Sequence, residues 1–147
     1  MFDTVLIAGL GLMGGSMAKT IKARTLSRVL GWNRTRATAE QALADGSIDA
    51  IATEALYKEA DLVIIGLYPQ ATVDWLLENM PKMKKGCVIV DMVGVKQFMV
   101  DHLEQAALDA GVHYVGGHPM AGREFSGLDY SLPTLFDGAS MIFVPTK

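Results

Sequence analysis

The chain has 147 residues, 50% of them apolar and 7% aromatic, with 15 glycines, 9 methionines and a formal net charge of -3. That is one domain's worth of sequence with ample apolar residues for a core, which excludes a disordered chain, and the absence of any long Lys/Arg run excludes a protein built to track a nucleic-acid backbone. A single cysteine, Cys87, excludes an internal disulfide and a thiolate metal cluster and points to a reducing, cytoplasmic compartment.

The opening stretch "MFDTVLIAGLGLMGG" lacks a basic n-region, and no segment approaches the about 18 continuous apolar residues of a membrane span. Val5 to Ala8 is a short apolar run followed at once by "GLGLMGG" and by Met13, Met17 and Ile21 at helical spacing. Strand, glycine turn and helix is the reading. A second strand, Val29 to Trp32, ends at "NRTR", and Ala37 to Leu43 reads as a helix stopped by Asp45 and Gly46. A short third strand is expected around Ile48 to Ile51. The run "DLVIIGLYP" has the continuous apolar character of a strand covered on both faces. Pro69 then marks a turn before Val73, Leu76, Leu77 and Met80 at helical spacing.

A fifth strand lies in "GCVIVDMVG"; Met99, Leu103, Ala106 and Ala110 give a helix closed by Gly111. Val112 to Val115 and Ala139 to Val144 read as two more strands, with "LPTLFDG" a short helix or turn between them. Strands alternating with helices predict an α/β domain with a mainly parallel sheet. Residues 1–144 are expected to form it, and 145–147 to begin a connection to a further domain.

Gly9, Gly11 and Gly14 form a G-x-G-x-x-G fingerprint between the first strand and its helix. Gly9 permits the tight turn, Gly11 lets backbone approach a pyrophosphate, and Gly14 lets the helix lie close to the sheet. The helix N-terminus then favours the anion, so Leu12 and Met13 join the three glycines as cofactor-binding positions. This is the signature of a Rossmann-type doubly wound fold.

Where an NAD site carries an acid at the end of the second strand, this chain has Asn33, followed by Arg34, Thr35 and Arg36. A carboxylate repels a 2'-phosphate, whereas a neutral amide between guanidinium groups receives it, so NADP is expected over NAD. The alternative is that both arginines are ordinary solvated residues at a helix start. Tyr68 and Pro69 follow the fourth strand on the ligand-facing edge; they either line the cofactor cleft or lie on the surface.

Of the three histidines, His102 falls inside a helix and His113 at the start of a strand. No metal site is expected from such dispersed residues. His118 lies in "GGHPMAG", where Gly116, Gly117 and Pro119 predict an irregular loop. It is either a structural histidine bonded to a carbonyl or a base held toward a substrate.

Together, "GLGLMGGS", "DMVGVK" and "GGHPMAGREFSG" resemble the prephenate and arogenate dehydrogenase family, over the nucleotide-binding half of a typical member. The resemblance implies oxidative decarboxylation of a cyclohexadienol acid. Prephenate would become 4-hydroxyphenylpyruvate, with hydride passing from C4 to the nicotinamide and His118 accepting the C4 hydroxyl proton. An imidazole of ordinary pKa, about 6.5, suits that role. The family commonly carries a serine where this chain has Gly94, counted here with the cofactor-binding positions; a backbone group or water replaces that hydroxyl, or turnover is reduced. Asp91 is expected to help end the fifth strand, and Lys96 to stabilise the next turn or meet a carboxylate. Glu124 matches an acidic family position. Arg123 is assigned to a substrate carboxylate, the 2'-phosphate or Glu124 itself, and Ser126 to shaping the loop.

The resemblance also implies a C-terminal helical domain that forms the dimer interface of a homodimer and supplies arginine for the substrate carboxylates. Without it, little or no turnover is expected of these residues alone. Two other functions compete: a dehydrogenase domain for arogenate or another small acid, and a non-catalytic NADP-binding sensor or assembly module.

Overall fold

A computed structural model describes residues 2–92, 96–119, 127–139 and 141–145. The elements run β1 (Thr4–Ala8), α1 (Leu12–Arg24), β2 (Arg28–Trp32), α2 (Arg36–Ala44), β3 (Ala50–Ile51), α3 (Glu54–Tyr57) and β4 (Leu62–Ile65). They continue with α4 (Pro69–Asn79), β5 (Val88–Asp91), α5 (Lys96–Ala110), β6 (His113–Pro119) and β7 (Met141–Pro145), with single 3-10 turns at Met80–Lys82 and Leu128–Tyr130. The sheet order is β3-β2-β1-β4-β5-β6-β7. The first six strands are parallel, and β7 returns antiparallel to β6.

Strand alternation sends successive side chains to opposite faces, and both faces are covered. Leu6 and Ala8 of β1, Leu30 of β2 and Val63 and Ile65 of β4 join Trp75, Leu76, Met99 and Leu103 from α4 and α5. Val5, Ile7, Val29 and Ile64 face the other way, onto Ala18 of α1 and Ala39 and Ala42 of α2. This two-sided burial is why β1 and β4 read as unbroken apolar runs. The sheet is built outward from β1 to β3 and then, from β4, in the other direction, so the connections after β1 and β4 diverge and leave a crevice at their carboxyl ends.

Four features depart from the sequence reading. The one-turn helix α3 was not expected. On α4, Leu77 is 45% exposed, while Trp75 is buried because its ring packs 5.5 Å from Trp32 and 5.6 Å from Tyr57. The third correction concerns Gly116 to Pro119, expected as an irregular loop. β6 continues through them, pairing Gly116 with Val144, Gly117 with Phe143 and His118 with Ile142. Neither Gly116 nor Gly117 is among the positive-φ glycines. Pairing with β7, which no local signal specifies, overrides the glycine and proline punctuation. Fourth, β7 extends to Pro145, opposite Val115, one residue beyond the expected end of the last strand. The segment "LPTLFDG" forms turns, closed by Leu135 N–H to Leu132 O and Asp137 N–H to Thr134 O.

Residues 128–137 strap the outer side of α1. Leu128 is buried against Val5, Ile7 and Ala18, and the Leu132 N–H donates to the buried Ser16 hydroxyl at 3.0 Å. Lys19 Nζ donates to Ser131 O at 3.2 Å, Thr20 Oγ1 to Pro133 O at 3.1 Å, and Arg24 pairs with Asp137. Among the described residues no helix is long and apolar enough to cross a membrane.

Burial, with Glu54 and Glu78 nearby, pushes the Tyr57 hydroxyl up to about 12, above the unfolded-chain value of about 10. The unfolded chain therefore ionises first. The stability this phenol contributes is complete below about pH 10 and lost as pH rises toward 12. Urea titrations at about pH 9 and about pH 11 should show a decline that Tyr57→Phe reduces; a decline unchanged by that substitution would refute the assignment.

Candidate functional site

Because β1 to β6 are parallel, their carboxyl ends lie along one edge of the sheet. That edge carries, in spatial order, the Asn33–Arg36 turn after β2, the glycine loop after β1, Gly66 and Tyr68 after β4, Asp91 closing β5, and His118 near the end of β6. Three strand spacings of about 4.8 Å separate β1 from β6, about 14 Å in all.

The glycine loop is shaped by close backbone approach. Gly9 has φ +94 and donates its N–H to Trp32 O at 2.8 Å. A Cβ on Gly9 would lie 2.6 Å from Gly66 O, and one on Gly14 would lie 1.7 Å from Gly9 O. Both positions are thus fixed by the fold itself. Gly11 differs: a Cβ there would meet no atom within 4 Å, so no internal contact requires glycine. What its missing side chain leaves open is the approach to the start of α1, where Leu12 and Met13 begin the helix and the first N–H groups lack intrahelical acceptors. The α1 first turn contains no acidic residue, as suits a terminus offered to an anion. The loop therefore fits a dinucleotide pyrophosphate.

Asn33 is tied on both sides. Its Oδ1 accepts the Leu10 N–H at 2.9 Å, and its Nδ2 donates to Thr35 O at 3.1 Å. Leu10 belongs to the glycine loop and Thr35 is the N-cap of α2. Arg34, Thr35 and Arg36 are exposed; Arg36 Nε reaches Glu40 Oε1 at 3.4 Å across one helical turn, a solvated pair that leaves the guanidinium accessible. Thr35 makes no side-chain cap hydrogen bond. Tyr68 is 86% exposed at the N-cap of α4, with Pro69 in the first helical turn.

Around β5 and β6 the structure assembles a group of residues that no local sequence signal joins. Asp91 is fully buried. Its Oδ1 accepts from Lys96 Nζ and, at 3.3 Å, from the Gly117 N–H, while its Oδ2 accepts the Tyr114 hydroxyl. Burial, followed by the Asp91 carboxylate, holds the Tyr114 phenol well above its ordinary range. Lys96 is only 15% exposed, and the carboxylate it meets is that of Asp91. Tyr114 was missed in the sequence; the signal was an aromatic hydroxyl inside a buried strand four residues before His118. The network fixes the backbone of Gly117, the neighbour of His118.

His102 is exposed, its Nδ1 2.7 Å from Phe98 O, and His113 is exposed at the opposite end of β6 from His118. Neither joins the carboxyl edge. Cys87 is buried away from it, and burial pushes its thiol up to about 11. Among the described residues no three His, Cys, Asp or Glu side chains gather as a metal site requires. Gly94, Arg123, Glu124 and Ser126 lie outside the described residues.

The family model for "Prephenate dehydrogenase, nucleotide-binding domain" matches residues 17–147. The match starts inside α1, so the glycine loop stands on its own geometry. A prephenate dehydrogenase of Bacillus subtilis (strain 168) is 38% identical over 149 residues, covering 99% of this chain and 40% of that protein. The crystal structure of prephenate dehydrogenase from A. aeolicus in complex with hydroxyphenyl propionate and NAD+ superposes with a TM-score of 0.89 at 29% identity, covering 100% of this chain and 52% of the other. That of Synechocystis arogenate dehydrogenase gives 0.87 at 26% identity, with 98% and 50% coverage. The chain thus spans about half the length, or less, of the proteins it matches.

Proposed function

This chain belongs to the prephenate dehydrogenase family, as its nucleotide-binding domain, and on that premise we propose that it binds NADP and serves the oxidative decarboxylation of prephenate to 4-hydroxyphenylpyruvate. The observation that carries this reading is the single sheet edge bearing the glycine loop, the Asn33–Arg36 turn on one side of it and His118 on the other. The two halves of a dinucleotide lie on either side of the switch point in such sheets. The adenosine half accordingly lies toward β2, with Arg34 and Arg36 at its 2'-phosphate, and the redox half extends past Tyr68 and Pro69 toward β6.

NADP, when bound, supplies the nicotinamide that takes the hydride. His118 accepts the C4 hydroxyl proton as the C4–H bond breaks, turning C4–O into a carbonyl. Loss of CO2 then returns the C1–carboxylate electron pair to the ring, and the phenolate oxygen recovers its proton from the imidazolium. The chain's contribution is placement of the base and of C4. Arg123, Glu124 and Ser126, which follow His118 in the sequence, are assigned by this proposal to the substrate side of the site, and Gly94 to the cofactor side.

Prephenate carries two carboxylates, which need compensating charge in the site. Lys96 is engaged by Asp91, so that charge comes mainly from a second, helical half, which also forms a homodimer. The share of the relatives that this chain covers, 40% and 52%, supports the reading.

Calorimetric titration tests the cofactor assignment: NADP should bind at least about tenfold tighter than NAD, and Arg34→Ala should abolish the difference by weakening NADP alone, since one charge-assisted contact is worth about 1.5–3 kcal/mol. NAD affinity equal to or above that of NADP would overturn it. Turnover of prephenate and arogenate with the second half restored tests the substrate, and faster arogenate turnover would reassign it.

A further inference from the structure

Asn33 stands where a carboxylate would convert the site to NAD, and its two hydrogen bonds give it a different task. We infer that Asn33 is a specificity-determining residue that acts as a tether, joining the two halves of the cofactor cradle, so that an acid cannot replace it. This inference rests on the NADP reading of the same turn.

The partners fix the orientation of the amide. Leu10 N–H offers only a donor, so the oxygen must face it; Thr35 O offers only an acceptor, so the NH2 must face that side. One planar group therefore couples the glycine loop, which faces the pyrophosphate, to the turn that carries Arg34 and leads into Arg36 at the start of α2. Thr35 uses no side-chain cap of its own, which leaves the Asn33 amide as the side-chain contact that anchors this turn among the described residues. The same amide places the arginine turn relative to the loop.

Aspartate is nearly isosteric with asparagine but has no donor. In Asn33→Asp one oxygen still accepts the Leu10 N–H, whereas the other confronts the Thr35 carbonyl, acceptor against acceptor. The turn moves away, and the new charge opposes the 2'-phosphate. The substitution that a sequence rule recommends for switching to NAD should thus remove NADP binding without creating NAD binding. Asn33→Ser, too short to span both partners, loses the tether without adding charge.

The test uses this chain with NADP and NAD by calorimetry, and amide hydrogen exchange at Leu10 and over the first turn of α2. Asn33→Asp should bind NADP at least about tenfold more weakly while its NAD affinity rises less than about threefold. Its Leu10 amide should stay protected as the first turn of α2 exchanges faster. Asn33→Ser should speed exchange at both places and weaken NADP. An Asn33→Asp chain that prefers NAD, or an Asn33→Ser chain with wild-type exchange and NADP affinity, overturns the tether. Wild-type chain that binds NAD as well as NADP defeats the cofactor assignment instead, and the exchange measurements still decide the tether.

Discussion

His118→Asn, introduced into this chain completed by the second half its relatives possess, is expected to lower prephenate turnover by about 10²–10⁴-fold, the range associated with loss of a positioned base. Cofactor affinity should stay within about twofold of wild type. Asparagine can donate and accept hydrogen bonds but cannot take a proton at neutral pH. The backbone at this position is held by pairing with Ile142 in β7, and asparagine preserves that pairing. The two readings separate through two instruments: steady-state kinetics for turnover and calorimetry for NADP. A turnover loss below about tenfold removes His118 as the base. Parallel loss of cofactor binding assigns it to the fold instead.

The second large effect concerns a fully buried carboxylate. Asp91→Ala is expected to destabilise the domain by about 3–5 kcal/mol, because a buried ion pair broken from one side leaves a buried charge unmatched. The alanine would remove the acceptor that the Lys96 ammonium, the Tyr114 hydroxyl and the Gly117 N–H share. Tyr114→Phe is the milder comparison, about 1–3 kcal/mol, since it removes one donor and leaves the carboxylate its lysine. Urea denaturation measures both, with the slope checked so that a changed unfolded state is not mistaken for lost stability. A cost below about 1 kcal/mol for Asp91→Ala would mean that Lys96 finds water readily and that the network does not secure β6.

What could be read from the sequence and what could not divide along the range of the interactions. Val5 to Ala8, Leu62 to Ile65 and the glycine loop were legible because a strand buried on both faces is apolar throughout, and because Gly9 and Gly14 answer to atoms a few residues away or to the strand immediately beside them. The helix of Glu54–Tyr57 is a single turn, too short for any period to emerge. Trp75 displaced Leu77 from the core through partners at Trp32 and Tyr57, residues that no helical spacing brings to notice. The Gly116–Pro119 stretch looked like a loop because glycine and proline usually interrupt strands; a partner strand more than twenty residues on kept it extended. The same limit applies to the site. Asn33 was found by its place after β2, but not its tether to Leu10, and Asp91 was noticed without Tyr114, which joins it from across the β5–β6 pairing.

The strap over α1 has a consequence for biosynthesis. Leu132 and Ser131, which meet Ser16 and Lys19, leave the ribosome 116 and 112 positions after them. The usual vectorial advantage, in which an N-terminal unit settles while the remainder is still being translated, is therefore withheld from this chain. Helix α1 emerges with Gly15 uncovered and waits for Leu128 to close over it, so the nascent segment stays exposed to chaperones and proteases until the strap has been made.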